Sequence, residues 1–379
     1  MKTKIWLSPP HLGGIEQKYV KEAFDTNYVA PEGNNIYEFE KALSEFTGSE
    51  HVAVLNSGTA ALHLGLIILD VKPGDEVIAS TFTFSATINP IIYQGAQPIL
   101  VDSELGTWNI CPKTLDAAIV DRLSKGKKPK AIIVVHLYGM PARIDEIMEV
   151  ANHYGIPVIE DAAEAMGSRY KGRVLGTIGI MGVLSFNGNK IITTSGGGAL
   201  ISGDKYLIDR SRFLATQARD DAPHYQHSTI GYNYRMSNIL AGIGRGQMEV
   251  LNQRIDQRRA NFMFYKKFFR DIKGVSLQEE PDDSFFSNYW LTVITVDPSL
   301  TDGVTQDDIR RVLKMENIES RPLWKPMHLQ PVFASCPYYG DHQSDGLFRN
   351  GMCLPSGSNL SEVDLERIAS TLSRVLRKT

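Results

Sequence analysis

The chain has 379 residues, 42 % of them hydrophobic, which suits a globular protein with a large core and more than one domain. Its 40 Lys and Arg against 43 Asp and Glu give a formal charge of −3, which excludes a broad basic surface for nucleic acid but not a local cluster for a small anion. Cys111, Cys336 and Cys353 form no close pair, no apolar run is long enough for a bilayer, and the first ten residues lack an apolar signal core. Neither a disulfide framework nor a membrane partner is expected, and the expected location is a reducing cytoplasm.

In chain order, residues 1–14 read as an extended arm ending in Gly13-Gly14. Glu16 to Asn27 has helical spacing, with Tyr19, Val20, Ala23 and Phe24 on one side; 27–34 reads as a loop and Tyr37 to Phe46 as a second helix. Apolar runs then predict strands at 51–55, 76–79, 98–101, 131–135, 157–160, 180–186 and 198–201, with helices at 59–69 and 85–93. Continuous apolar strands separated by amphipathic segments predict an α/β fold with a mostly parallel sheet covered on both faces. Ligands of such sheets bind beyond strand C-terminal ends. Asn56, Phe84, Asp161 and Asn187 each follow an expected strand and so should converge. A long helix is expected from Ile239 to Gln257, leading into a charged stretch at 254–259 and an aromatic one at 261–269. A strand at 290–296 and helices at 307–316 and 360–377 complete the chain. The change of character divides it into an arm and large domain, 1–250, and a smaller α+β domain, 251–379.

Lys190 follows Asn187-Gly188-Asn189, a turn expected to use the tolerance of Asn and Gly for positive φ. A lysine there is either a solvated loop residue or an amine that forms a Schiff base with an aldehyde. Asp161, at the end of an apolar strand, either caps a helix or pairs with a protonated pyridine nitrogen, keeping that ring an electron sink. Such a lysine and aspartate are two of the groups that pyridoxal phosphate needs. Glu164 faces the same ligand or completes a capping box. Gly58 and Thr59 open a helix with free amides and a hydroxyl that suit a phosphate, although by itself Ser57-Gly58-Thr59 reads first as a plain N-cap. Phe84 stacks on an aromatic cofactor or packs in the core, and Ser185 offers a further phosphate contact. Late in the chain, Arg321-Pro-Leu-Trp-Lys-Pro-Met-His328 gathers Arg321, Trp324, Lys325 and His328 around two prolines. Such a loop suits a diphosphate with a sugar or base, or is simply a proline-rich surface. The nine histidines show no metal-ligand spacing, and no metal is expected.

Together these motifs resemble the sugar aminotransferases of the DegT/DnrJ/EryC1/StrS group along nearly the whole chain. The likeness rests on Asn56-Ser-Gly-Thr-Ala-Ala-Leu, Pro73-Gly-Asp-Glu-Val, Thr81-Phe-Thr-Phe-Ser-Ala-Thr, His136-Leu-Tyr-Gly, Glu160-Asp-Ala-Ala-Glu-Ala, the block from Ser185 to Gly198 and Gly231-Tyr-Asn-Tyr-Arg. Leu7-Ser-Pro-Pro-His-Leu-Gly-Gly, Asn187-Gly-Asn-Lys, Thr216-Gln-Ala-Arg-Asp and the Arg321–His328 loop look like bacterial enzymes that aminate UDP-4-keto-6-deoxy-N-acetylglucosamine at C4, in bacillosamine-type pathways for protein glycosylation or surface glycans.

The resemblance implies a pyridoxal phosphate enzyme of fold type I, a homodimer with shared active sites, a nucleotide-sugar substrate and L-glutamate as donor. By position, Lys190 matches the Schiff-base lysine, Asp161 the pyridine-nitrogen partner and Phe84 the stacked ring. Gly58, Thr59 and Ser185 match phosphate contacts, and Asn233 one donated to the other subunit. Asn27, Tyr28, Val29, Ala30, Asn187 and the Arg321–His328 loop match nucleotide-sugar contacts. Many family members carry Gln or His where this chain has Glu164, which leaves its role beside the cofactor hydroxyl open. Members with His in place of the lysine are dehydratases, and Lys190 argues against that chemistry. Two alternatives stand beside this expectation: a keto sugar aminated at C3 or carried on dTDP or GDP, and a non-catalytic sensor on the same fold.

Overall fold

The computed structural model describes residues 2–376. An eight-stranded sheet forms its spine, in the order His51–Leu55, Gly198–Ser202, Met181–Ser185, Val158–Asp161, Ala131–Val135, Glu76–Ser80, Gln97–Val101 and Tyr338–Tyr339. Only Gly198–Ser202 runs against its neighbours; the other pairs are parallel. Along Ala131–Val135, Ala131 and Ile133 enter one core while Ile132 and Val134 enter the other. A strand apolar at every position needs cover on both faces, because successive side chains point to opposite sides. The helix Gly58–Ile68 covers one face through Ala61, Leu62, Leu64 and Leu66. Asn34–Thr47, Pro112–Ser124 and Ile144–Tyr154 cover the other.

A second, antiparallel sheet joins Val275–Leu277, Thr292–Val296, Gly351–Leu354 and Arg321–Pro322. Its core takes Ile309 and Leu313 from one helix, Ile368 and Leu372 from another, and Ile5 from the N-terminal arm. The 32-residue helix Asn238–Phe269 ties the two parts together, with Ala241 and Leu251 in the large core and Tyr265 and Phe269 in the small one. The division expected at residue 250 falls inside this helix. The strand Tyr338–Tyr339 also returns from the C-terminal region to the edge of the large sheet.

Several expected boundaries move for local reasons. The helix expected at 85–93 is a 3-10 turn, Ser85–Thr87, followed by Asn89–Tyr93. Pro90 lacks an N–H and so sits in the first turn of the second piece. The strand expected from Trp290 begins at Thr292, after Tyr289 takes a positive φ of 46°. Asp161 is the last residue of its strand rather than the first beyond it. The final helix is Glu362–Leu376, and Arg377 lies outside the described residues.

Candidate active site

Five parallel strand ends and one helix start surround a cavity of about 300 Å³. Asn56, Gly58, Thr59, Phe84, Asp161, Glu164, Ser185, Asn187, Lys190 and Trp324 all line it. The four positions expected to converge past strand ends therefore do so.

Lys190 closes a turn in which its N–H donates to Asn187 O at 3.0 Å. None of Asn187, Gly188 and Asn189 takes a positive φ, so the expected left-handed geometry is not what bends the chain. The Lys190 side chain is 12 % exposed, and Nζ lies 3.6 Å from Glu164 Oε1 and 4.2 Å from the centroid of the Trp290 ring. Glu164 completes no capping box: its Oε2 accepts from the Tyr138 amide at 2.7 Å. Burial pushes the Glu164 carboxyl above its ordinary pKa, while the Lys190 charge opposes that rise.

Asp161 caps no helix, because only turns follow its strand. Its Oδ2 accepts from Thr87 Oγ1 at 2.8 Å and its Oδ1 from the Ala163 amide at 3.2 Å. Burial raises its pKa, against these hydrogen bonds and the charge of Lys190. A cationic N–H beside this carboxylate would keep it ionised. A carboxylate has about four lone-pair sites, so acceptor capacity remains for one.

At the helix start, Ser57 is the N-cap, with Oγ accepting from the Ala60 amide at 3.0 Å. The amides of Gly58 and Thr59 precede any intrahelical acceptor and line the cavity. A Cβ on Gly58 would stand 3.2 Å from Ser185 Cβ, and one on Gly198 would stand 2.4 Å from Gly58 N. The glycines thus let the antiparallel strand, the helix start and Ser185 crowd around one small cradle. Amides at a helix start, a hydroxyl beside them, a buried carboxylate and an amine on the next strand's turn fit pyridoxal phosphate.

Phe84 is half exposed, and its ring centroid is 5.2 Å from that of Trp324. Beyond Trp324 lies a second cavity of about 510 Å³, lined by Trp6, Arg321, Lys325 and Phe348 and sharing Asn189, Trp290 and Trp324 with the first. His328 lines neither. It meets Thr81 Oγ1 at 2.7 Å and Asp345 Oδ1 at 2.8 Å, close enough to His342 to make a trio that chain spacing did not suggest. Asn27, Tyr28, Val29, Ala30 and Asn233 also stand outside both cavities. Asn238 at the start of the long helix pins the former segment, donating to Tyr28 O and Ala30 O. Asn233 O accepts from Asn56 Nδ2 at 3.2 Å.

Sequence reasoning missed Thr87, Asn189 and Trp290. Thr87 sits one turn beyond Phe84 and was within reach of helical spacing. Trp290 is a hundred residues from Lys190, and no local signal joins them.

A fold-type I architecture with this lysine, aspartate and helix start defines a pyridoxal phosphate-dependent sugar aminotransferase, of class EC 2.6.1, once relatives are compared. The model of the DegT/DnrJ/EryC1/StrS aminotransferase family matches residues 10–373, and the chain belongs to that family. It is 50 % identical over 377 residues to EpsN of Bacillus subtilis (strain 168), whose name places it provisionally among pyridoxal phosphate-dependent aminotransferases; 98 % of this chain and 96 % of that one are covered. A GDP-perosamine synthase of Caulobacter vibrioides is 35 % identical over 373 residues, with 98 % of each chain covered. The crystal structure of a DegT DnrJ EryC1 StrS aminotransferase from Brucella abortus superposes with a TM-score of 0.89 at 28 % identity, over 96 % of this chain and 95 % of that one. Sugar aminotransferase activity implies a nucleotide-linked sugar and an amino donor. Among the described residues no helix is long and apolar enough to cross a membrane.

Proposed function

We propose that the protein transfers an amino group from L-glutamate to C4 of a UDP-linked 2-acetamido-4-keto-2,6-dideoxy hexose, in the cytoplasm, as a homodimer with shared sites. The observation that carries this reading is the Lys190 amine in a cavity with Asp161 and the Gly58–Thr59 amides, opening past Trp324 into a chamber with Arg321 and Lys325. The first cavity suits a cofactor, and the second suits the diphosphate and base of a nucleotide sugar.

Bound pyridoxal phosphate supplies an electron sink for the electron pair left when the donor α-carbon loses its proton. Lys190 Nζ would be the general base that takes that proton and then the acid that returns it. In the second half-reaction it reverses the order and protonates the sugar carbon. Asp161 holds a proton at the pyridine nitrogen. Phe84 offers a ring face, and the Gly58 and Thr59 amides with the Ser185 hydroxyl hold the phosphate. Asn233 reaches the phosphate site of the other subunit, and Asn27 to Ala30 contact the nucleotide sugar. Asn187, Trp324 and the cations of the 321–328 loop orient the nucleotide sugar.

A panel of UDP-, GDP- and dTDP-linked keto sugars, with L-glutamate as donor and products identified by mass and NMR, tests this. The UDP-linked 4-ketone should give the highest kcat/KM and a 4-amino product. The 35 % identity to a GDP-perosamine synthase favours a second reading, GDP-linked amination. A higher kcat/KM for a GDP-linked 4-ketone would put that reading in place of the first.

A further inference from the structure

Trp290 has no part in the steps above, yet its ring centroid lies 4.2 Å from Lys190 Nζ. The residue is 1 % exposed and fixed on several sides. Its indole N–H donates at 2.7 Å to Asn189 O, the carbonyl immediately before Lys190. Ser8 Oγ, from the N-terminal arm, donates to the same oxygen at 2.7 Å. The Trp290 backbone N–H is held by Asn288 Oδ1 at 2.8 Å, and its carbonyl accepts from the buried Arg258 guanidinium. Tyr138 stacks on it with centroids 6.5 Å apart and planes at 18°.

We propose that Trp290 is the positioning residue for the catalytic amine. It seats the free, protonated Lys190 on its π face and, through Asn189, fixes the backbone from which Lys190 projects. The inference rests on reading Lys190 as the amine that moves protons. Once displaced by a substrate amine, a lysine has four flexible carbons and many rotamers. Glu164 attracts the ammonium from one side at 3.6 Å. An aromatic face in a desolvated wall attracts it from another and demands no hydrogen-bond direction. The amine can therefore turn between two carbons without leaving its seat. An aliphatic side chain of similar bulk would fill the space but leave the amine to Glu164 alone.

Two measurements test this. In kinetics, Trp290→Phe keeps an aromatic face and loses only the indole donor, whereas Trp290→Leu loses both. Expected are a fall in kcat of about 3–10-fold for the first and about 30–100-fold for the second, with KM changed less than about threefold in either. In the cofactor-free protein, Lys190→Met should alter tryptophan emission when Trp290 is present and leave it unaltered in a Trp290→Phe background. The emission comparison stands even if Trp290→Leu fails to fold. Equal kcat values for the Phe and Leu variants, or a Lys190-dependent emission change that persists without Trp290, would overturn the proposal. Such a failure with Lys190→Met still inactive removes only the seat, whereas near-normal turnover by Lys190→Met removes the reading of Lys190 itself.

Discussion

At the scale of single residues, Lys190 and Asp161 should account for most of the rate. Lys190→Ala should lose the absorbance of the lysine-bound cofactor and at least roughly 10²–10⁴ in turnover, the range expected when a positioned acid–base group is removed. Spectra and single-turnover kinetics check both, and turnover near the native rate would show that Lys190 is not the catalyst. Asp161→Asn keeps the shape and an acceptor for Thr87 but cannot hold a proton on the pyridine nitrogen by charge. Its kcat should fall roughly 10²-fold or more, while the far-UV dichroism stays unchanged. The meeting of the two residues in one cavity was legible in the sequence, because Asp161 ends an apolar strand and Lys190 closes the turn that follows another. Glu164 shows the limit of such reading: its spacing suits a capping box, yet no helix follows, and the carboxylate turns to the Tyr138 amide and Lys190. Local sequence cannot show where a side chain goes when its partners come from other strands.

At the scale of elements, the sheet edge and the glycine cradle carry the testable energetics. Asp102, at the end of Gln97–Val101, accepts from Tyr338 Oη at 2.8 Å, the Gln343 amide at 2.7 Å and the Ser344 amide at 3.1 Å. Burial pushes its carboxyl up, but hydrogen bonds from Ser344, the Ser103 amide and Tyr338 outweigh that and hold it below the ordinary range. A depressed folded pKa means that the ionised form is bound more tightly in the folded state. Its stabilisation is therefore present above the ordinary aspartate pKa and lost as pH falls through the lower folded value. Asp102→Ala should cost about 2–4 kcal/mol near neutral pH, as one buried and two part-buried donors lose a charged acceptor, and less in acid. Denaturant titrations across pH 3–7 check this; an equal loss at every pH would contradict it. In the cradle, Gly198→Ala would bring a Cβ to 2.4 Å from Gly58 N and 2.5 Å from Ser57 C, both backbone atoms that cannot step aside cheaply. Overpacking of this kind costs about 1–3 kcal/mol. The cofactor should bind more weakly as the helix start is displaced, which equilibrium dialysis of the variant would measure. The central strands and the long helix followed from apolar periodicity, but the helices Pro112–Ser124, Ile144–Tyr154 and Lys205–Ala215 and the short strands Val275–Leu277, Tyr338–Tyr339 and Gly351–Leu354 did not. The break at Pro90 and the strand beginning at Thr292 depended on details of backbone geometry that periodicity does not carry.

At the scale of the whole molecule, the proposed shared sites make a prediction that neither part of one chain makes alone. Lys190→Ala chains and Asn233→Ala chains, each poorly active, should regain activity when unfolded and refolded together, because a mixed dimer would hold one site with both residues intact. Sedimentation should give about twice the 42.2 kDa chain mass. No complementation from a confirmed mixed dimer would remove the shared site. The chain also shows how its distant parts meet: Arg258, in the long helix, donates to Ser8 in the arm and to the carbonyls of Trp290 and Ser356. The sequence by itself determined the α/β class, the meeting of Lys190 and Asp161 in one cavity and, through its resemblance, the family, because these rest on residue type and on motifs a few turns long. Only the tertiary structure decided that Trp290 lies against Lys190, that His328 turns to Thr81 and Asp345 rather than to the cavities, and that one helix spans the expected domain boundary. Those outcomes depend on which surfaces pack together across a hundred residues or more, and packing is settled by shape and burial summed over the whole chain, not by any local pattern.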